Sequence, residues 1–539
     1  MKLPRKTVYA ILLAFVFLNF VIRYPRTPHG VGVDSFSFAV LSNAIVEQGR
    51  AAWIVHPLSP FGLYPLSYPS GSFFLTAALA SASGVSLEVA TLILSFLVAA
   101  LSVFAGFLMA REFSRNDLFA IAVPLVFTLM PKFVTNTLWE VPARGFFMTL
   151  TALFLWAVLR AVKLPEPRQI AIAGLMFLLM SLFHRLAVLM VVVFIAFLLT
   201  MIFVVATKIV KKQIPRVLMS PAFRRRSRIV GLAVYGSVFA VLLFGSGVLE
   251  TYHQGAYFSG DSVITAFGNL AVSLGRSVGL LAPLAIVGIA VVLFSRNKGA
   301  PEYLFLSTPL AIVPTLFLRS YTGFYIVTFF ALFIGMGCAS LISRVPKKHR
   351  SLAVLALIVV ASVSASQAIS FELPRQTFMS ESEYTAGLYA KYHVSGTLAC
   401  NDGLLGSRIA SVTGDAYLPI GGATTATYGP DALAFGFIDG FQTIPVPITE
   451  LTIDSDALFA PVGVTVGADW SVMFSNRLGT RSERIADTYA VSVICEDSRE
   501  FATYHTGWGV TYESLLLADL YENRYKTFEA NGVRTWLAF

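Results

Sequence analysis

The sequence predicts a mainly α-helical, polytopic transmembrane bundle of about eleven spans, followed by an extracytoplasmic domain of mixed α/β structure. Three observations carry this reading. Hydrophobic residues make up 56% of the 539-residue chain and charged residues only 13%, about half the charged share of an average soluble protein. Apolar windows long enough to cross roughly 30 Å of hydrocarbon recur along residues 1–370. Charge is also partitioned: residues 1–370 hold 30 Lys+Arg against 10 Asp+Glu, and residues 371–539 hold 10 against 20. The two parts therefore carry formal charges of +20 and −10.

The same numbers exclude other classes. With 45 Phe and 20 Tyr the chain is the opposite of a low-hydrophobicity disordered protein. Three cysteines rule out a disulfide scaffold and a four-cysteine zinc module. The positive charge sits in loops between apolar spans, so the basic balance points to no nucleic acid partner and to a lipid bilayer instead.

The predicted spans cover residues 8–22, 87–110, 118–133, 143–162, 170–183, 186–207, 229–249, 277–295, 303–318, 323–343 and 351–370. The first is an anchor, since the VIRYPRTP that follows it has no small-residue cleavage site. With the N-terminus in the cytoplasm, the inner loops collect 22 of the 30 basic residues, the distribution that cytoplasmic loops favour. The cluster at 208–228 reads as a topology anchor near anionic headgroups. An odd number of spans then places the tail outside a multi-pass protein of the cell membrane.

Residues 1–370 thus form the membrane domain and residues 371–539 the soluble one. The first outer loop, 23–86, is far longer than an ordinary helix connection, and long loops are more often functional. Within it, Asp34 is placed to cap a short helix with Phe38, Leu41 and Ile45 on one face and Gly49 at its end, lying along the membrane surface. Residues 70–82 form an apolar stretch too short to span, which suits an interfacial segment. The tail alternates strand-like runs with turn signals, as in SGTLACND and RIASVTGDAYLPIGG, and ends in a predicted hairpin at Asn531-Gly532. Cys400 and Cys495 both lie there and could pair outside the cell; the sequence leaves this open.

On this topology the outer acids before the tail are Asp34, Glu47, Glu88, Glu140, Glu250 and Asp261. Asp34 in GVDSF and Glu140 in NTLWEVPARGF lie just beyond span ends, where an acid near the apolar boundary needs partners. Arg144, Arg185, Arg276 and Arg319, with His56 and His184, supply cationic or hydrogen-bonding groups on the same face. Arginines can hold a phosphate leaving group by charge-assisted hydrogen bonds, and a carboxylate can deprotonate a nucleophile or hold a divalent metal. Each residue also has a plain reading: Asp34 as a helix cap, Glu140 paired with Arg144, Arg319 snorkelling, His56 with Tyr64 and Tyr68 in an interfacial belt, His184-Arg185 marking a hairpin turn.

At these residues the chain resembles the GT-C fold glycosyltransferases, in layout like oligosaccharyltransferase catalytic subunits and related polyprenyl-phosphate-sugar transferases. The resemblance covers most of 1–370. It rests on Asp34 with the trailing AVLSNAIVEQGRAAW, the YPLSYPSG run, the AREFSRNDLFAIAVPLVFTLMP passage, Glu140 in the second loop, and Arg319 between later spans. It implies that Asp34 and Glu140 are catalytic acids and that Arg319 binds the donor phosphate; Arg185, His184 and His56, read from their place on the outer face, are the further candidates for that phosphate. It also implies that Asp34, Glu140 and Glu250 hold a divalent cation such as Mg or Mn. The second loop carries one acid where a DxD-like pair is expected, and no WWDxG signature occurs, ADWS at 468–471 and GWG at 507–509 being isolated Trp matches.

The expected activity is therefore transfer of sugar from a polyprenyl-phosphate-linked donor to a protein or glycan acceptor at the outer face. The alternatives are an oligosaccharyltransferase moving a whole glycan to asparagine, and a non-catalytic lipid-glycan transporter or assembly protein. A transporter should show a continuous polar path, whereas the ionisable residues here concentrate at span ends.

Overall fold

The computed structural model describes residues 3–49, 54–55, 63–64, 69–213, 237, 272, 275–295, 298–318, 323–372, 378–393, 397–400, 403–413, 417–419, 491–497, 504–505, 511–512, 526–530 and 533–537. The chain divides into two compact units. The first comprises Met1–Tyr24, Ser95–Leu138 and Pro142–Pro374; the second comprises Pro25–Leu94, Trp139–Val141 and Arg375–Phe539.

The helices of the first part of the chain are α1 (Arg5–Ile22), α2 (Val33–Gln48), α3 (Gly71–Ser83), α4 (Leu87–Phe113), α5 (Asp117–Leu129), α6 (Pro131–Thr135), α7 (Ala143–Lys163), α8 (Pro167–Phe183) and α9 (Met190–Gln213). After the predicted span 229–249, which apart from residue 237 lies outside the described residues, come α10 (Ala282–Phe294), α11 (Ala300–Leu318), α12 (Gly323–Arg344) and α13 (Arg350–Glu372). Among the described residues six helical segments are long and apolar enough to cross a membrane: Arg5–Ile22, Leu87–Phe113, Ala143–Lys163, Leu186–Ala206, Gly323–Arg344 and Lys347–Phe371.

Local chemistry sets where these helices stop. The predicted span 118–133 is broken after Leu129 because Met130 precedes Pro131 and takes φ −60, ψ 135. The proline ring disfavours the helical region for the residue before it, so a new short helix starts with Pro131 in its first turn. α5 is buried along almost its whole length and forms the centre of the first unit. α10 and α12 meet backbone to backbone: a Cβ built on Gly288 would lie 1.8 Å from the Phe333 carbonyl oxygen. Only glycine permits that approach, the means by which membrane helices pack without a hydrophobic driving force.

The second unit has its own core. α14 (Glu381–His393) and α15 (Gly403–Thr413) pack on each other and on a five-stranded sheet, and α15 also packs on α2. The sheet has the order β4-β3-β5-β9-β8, with β3 (Thr397–Cys400), β4 (Tyr417–Pro419), β5 (Val491–Asp497), β8 (Lys526–Ala530) and β9 (Val533–Leu537). β3 runs parallel to β4 and β5, and β9 runs antiparallel to β5 and β8. Two small two-stranded pairs are also present, β1 (Ile54–Val55) with β2 (Leu63–Tyr64) and β6 (Tyr504–His505) with β7 (Thr511–Tyr512). Val40, Ala386, Ala390, Leu405, Ile409, Ala410 and Val533 make one buried cluster. Each fully buried Leu or Ile of such a set contributes roughly 1.5–3 kcal/mol.

The segment RIASVT, expected to be strand-like, is helical. Leu405 and Ile409 lie four residues apart and are both buried against the cluster, so the 3.6-residue period decides. The predicted terminal hairpin pairs as expected, with Ala530 opposite Val533 across Asn531-Gly532.

Candidate active site

α2 begins at Val33 after Gly32, whose φ of +97 places it in a region open to glycine, and it ends at Gly49 as predicted. Asp34 lies in the first helical turn; Gly32, not Asp34, occupies the cap position, so the capping reading of Asp34 is corrected. A carboxylate there still faces the positive end of the helix dipole.

The second loop is laced to this turn. Val31 N–H donates to the Trp139 carbonyl at 2.8 Å, and Val141 N–H donates to Ser35 Oγ at 2.7 Å. Glu140, between them, is 7% exposed. A Cβ on Gly32 would meet Glu140 Oε2 at 2.6 Å, and Ser35 Cβ lies 3.2 Å from that same Cβ position. The Glu140 carboxylate therefore sits against the residues that flank Asp34. Val31 is also bridged to Phe378, and Met379 N–H donates to the Gly30 carbonyl at 3.2 Å. Residues 30 and 31 thus run between the second loop and the segment leading into α14.

Behind them stands a cluster with little signal in the sequence. His29, 8% exposed, has Nδ1 at 3.2 Å from Glu88 Oε1 and Nε2 at 3.0 Å from Glu381 Oε2, and its ring stacks on Tyr384 with centroids 3.9 Å apart. Gly30 N–H and the Trp139 indole N–H both donate to Glu88, one to its side chain and one to its carbonyl, at 2.9 Å each. Burial works to lower the His29 pKa, but hydrogen bonds and charge attraction from Glu88 and Glu381 outweigh it and raise the pKa above its ordinary value. The phenol of Tyr384 is raised too, by burial first and then by the two carboxylates. A cavity of about 560 Å³ adjoins this cluster, lined among others by Ser35, Phe36, Asn43, Glu88, Trp139 and Tyr384.

The first unit holds cations of its own. Lys132 Nζ lies 4.4 Å from the ring centre of Phe324, the Arg144 guanidinium 5.8 Å from it, and the His184 ring 6.5 Å from it. These groups come from α6, the start of α7, and the extended residue between α8 and a 3-10 turn. His184 Nδ1 accepts the Leu186 N–H at 3.1 Å, so a neutral ring carries its proton on Nε2. The same unit buries Arg23, whose Nε donates to Thr137 Oγ1 at 2.9 Å, Nη1 to Asn19 Oδ1 at 2.5 Å and Nη2 to the Thr128 carbonyl at 2.9 Å. These bonds tie Arg23 to Thr128 and Thr137 within the first unit.

Of the predicted site residues, Asp34, Glu140 and His184 are described with their surroundings. Arg185 opens the 3-10 turn; its side chain, with Arg319, His56 and Glu250, lies outside the described residues. Among the described residues no group of three His, Cys, Asp or Glu is arranged around a common metal position. His29 stands five residues before Asp34 and Lys132 alone at the end of an apolar run. Those positions are the signals the sequence offers for two groups absent from the predicted site. Glu381 and Tyr384 have none, being more than 350 residues from their partner.

No family model matches the sequence, and no curated protein matches it. Solved structures do. Archaeal oligosaccharyltransferase AglB from Archaeoglobus fulgidus, in complex with an inhibitory peptide and a dolichol-phosphate, matches with TM-score 0.59 and 14% identity, covering 98% of this chain and 74% of that one. The Archaeoglobus fulgidus oligosaccharyltransferase tethered to an acceptor peptide with the NVT sequon matches with TM-score 0.60 and 14% identity over 99% and 74%. Its complex with Zn and sulfate gives 0.55 and 14% over 91% and 68%. The chain has the GT-C fold of these membrane glycosyltransferases.

Proposed function

We propose that the protein is a membrane glycosyltransferase that moves sugar from a polyprenyl-phosphate-linked donor to an acceptor on the outer face of the cell membrane. The observation that carries this reading is the lacing of the second loop to the first turn of α2, which sets Glu140 against the residues flanking Asp34. The GT-C fold, shared with a protein solved with dolichol-phosphate, supports the donor class.

Asp34 takes the proton from the acceptor nucleophile, or orients it, with Glu140 as the second acid. Attack opposite the phosphate forms the new glycosidic bond as the sugar–phosphate bond breaks, inverting the anomeric carbon. By the resemblance Arg319, and by their place on the outer face Arg185 and His184, neutralise the departing phosphate. His56 and Glu250 keep their proposed donor and metal roles. The oxygen donors of Asp34 and Glu140 would suit a hard divalent cation such as Mg or Mn. Such a cation, when bound, supplies charge stabilisation at the phosphate.

Transfer of a whole glycan to protein asparagine is the second reading, favoured by the oligosaccharyltransferase structures; mass spectrometry of surface glycoproteins from a deletion strain separates the two, because only this one predicts global loss of N-glycans. In membranes supplied with radiolabelled lipid-linked sugar, Asp34→Asn and Glu140→Gln should each lower incorporation by about 10²–10⁴-fold with insertion unchanged. Full activity in Asp34→Asn would remove Asp34 from the mechanism.

A further inference from the structure

The central strands of the soluble sheet carry two of the chain's three cysteines. β3 and β5 are adjacent and parallel, and their register sets Cys400 directly opposite Cys495. Residues paired in a parallel ladder share one face of the sheet, and neighbouring strands lie about 4.8 Å apart. That spacing falls within the Cα–Cα range of roughly 4.4–6.8 Å that a disulfide bridges without backbone movement. The third cysteine, Cys338, is buried in α12, in the other unit.

From this juxtaposition we infer that Cys400 and Cys495 form a disulfide that pins β3 to β5. It rests on the outward orientation proposed for residues 371–539, since such bonds persist in oxidising compartments. The two thiols lose two protons and two electrons; a disulfide-bearing oxidoreductase of that compartment accepts both and is left as a dithiol. The bond closes the loop of residues 401–494. That loop begins with α15, which packs on α2, where Asn43 Nδ2 donates to the Ser411 carbonyl at 2.5 Å. The bond therefore secures the floor under the helix that carries Asp34.

The test uses the full chain in detergent, with free thiols trapped by N-ethylmaleimide before lysis and peptides mapped without reduction. The expected result is a linked pair containing Cys400 and Cys495, lighter than the two peptides by two hydrogens, with alkylation at both only after reduction. Alkylation of both without reduction overturns the inference. As a second measurement, Cys400→Ser, Cys495→Ser and the double variant should lower the melting temperature by the same amount, about 10 °C. Additive losses would overturn it as well. Neither readout needs glycosyl transfer, so a linked peptide in a protein without that activity would sink the functional reading and leave this one standing.

Discussion

The sharpest test of the second unit is its buried ion pair. Arg408 Nη1 lies 2.5 Å from Glu383 Oε1, with side-chain exposures of 2% and 3%. Glu383 also serves the backbone, since its Oε2 accepts the Ser380 N–H at 2.5 Å and the Ser380 hydroxyl at 2.7 Å, a capping box at the start of α14. Replacing Arg408 by Met strips Glu383 of its cation, a loss worth about 3–5 kcal/mol for a buried pair. The two remaining donors from Ser380 place the expected cost near the lower end, about 3 kcal/mol. For a unit of this size that is about 6–12 °C in melting temperature. The double variant Arg408→Met with Glu383→Gln keeps the capping box and removes the stranded charge, so it should recover at least half of the loss. The assay is thermal unfolding of the full chain in detergent, with hydrogen exchange across Gly403–Thr413 to localise the change. A shift under about 2 °C for Arg408→Met, or a double variant as unstable as the single, would refute the electrostatic account.

Three further outcomes follow from the geometry. Gly32→Ala introduces a Cβ 2.6 Å from Glu140 Oε2 at a φ of +97; it should cost about 1–3 kcal/mol and reduce transfer activity more than stability, measured side by side. His29 has a raised folded pKa, so its ion pairs with Glu88 and Glu381 stabilise fully below its unfolded pKa, about 6.5, and are lost as pH rises through the folded value. The melting-temperature gap between wild type and His29→Gln should therefore be widest in mild acid and narrow in alkali, with Glu88, Glu381 and Tyr384 the titrating groups that face it. Gly288→Val drives side-chain carbon into the Phe333 carbonyl and should destabilise the α10–α12 contact by at least about 1–3 kcal/mol, visible as faster proteolysis in detergent.

Much of the helical architecture was legible because apolar run length is a direct physical requirement of a bilayer. The helices α1, α4, α7 and α12 fall where unbroken apolar windows place them. Asp34 and Glu140 were legible as acids at span ends. The strand reading of RIASVT failed because a six-residue run of mixed polarity fits either period, and burial of Leu405 and Ile409 on a distant sheet chose the helix. The His29 cluster was illegible for a related reason. A histidine in a proline-bounded loop carries no pattern of its own, and its acidic partners come from the start of α4 and from α14.

The contacts of residues 29–43 also bear on what the acidic tail contributes. His29 reaches Glu381, Gly30 and Val31 bond to Met379 and Phe378, and Asn43 bonds to Ser411. Val40 is buried in the same cluster as Ala386, Leu405 and Val533. Val40 of the first loop and these tail residues therefore belong to one hydrophobic cluster. The turn that presents Asp34 owes its position to backbone bonds on one side from the second loop and on the other from residue 379. These bonds fix the chain on either side of Asp34, the kind of preorganisation that the acid role proposed for it calls for. Under the proposed function, the tail would therefore contribute through the placement of α2.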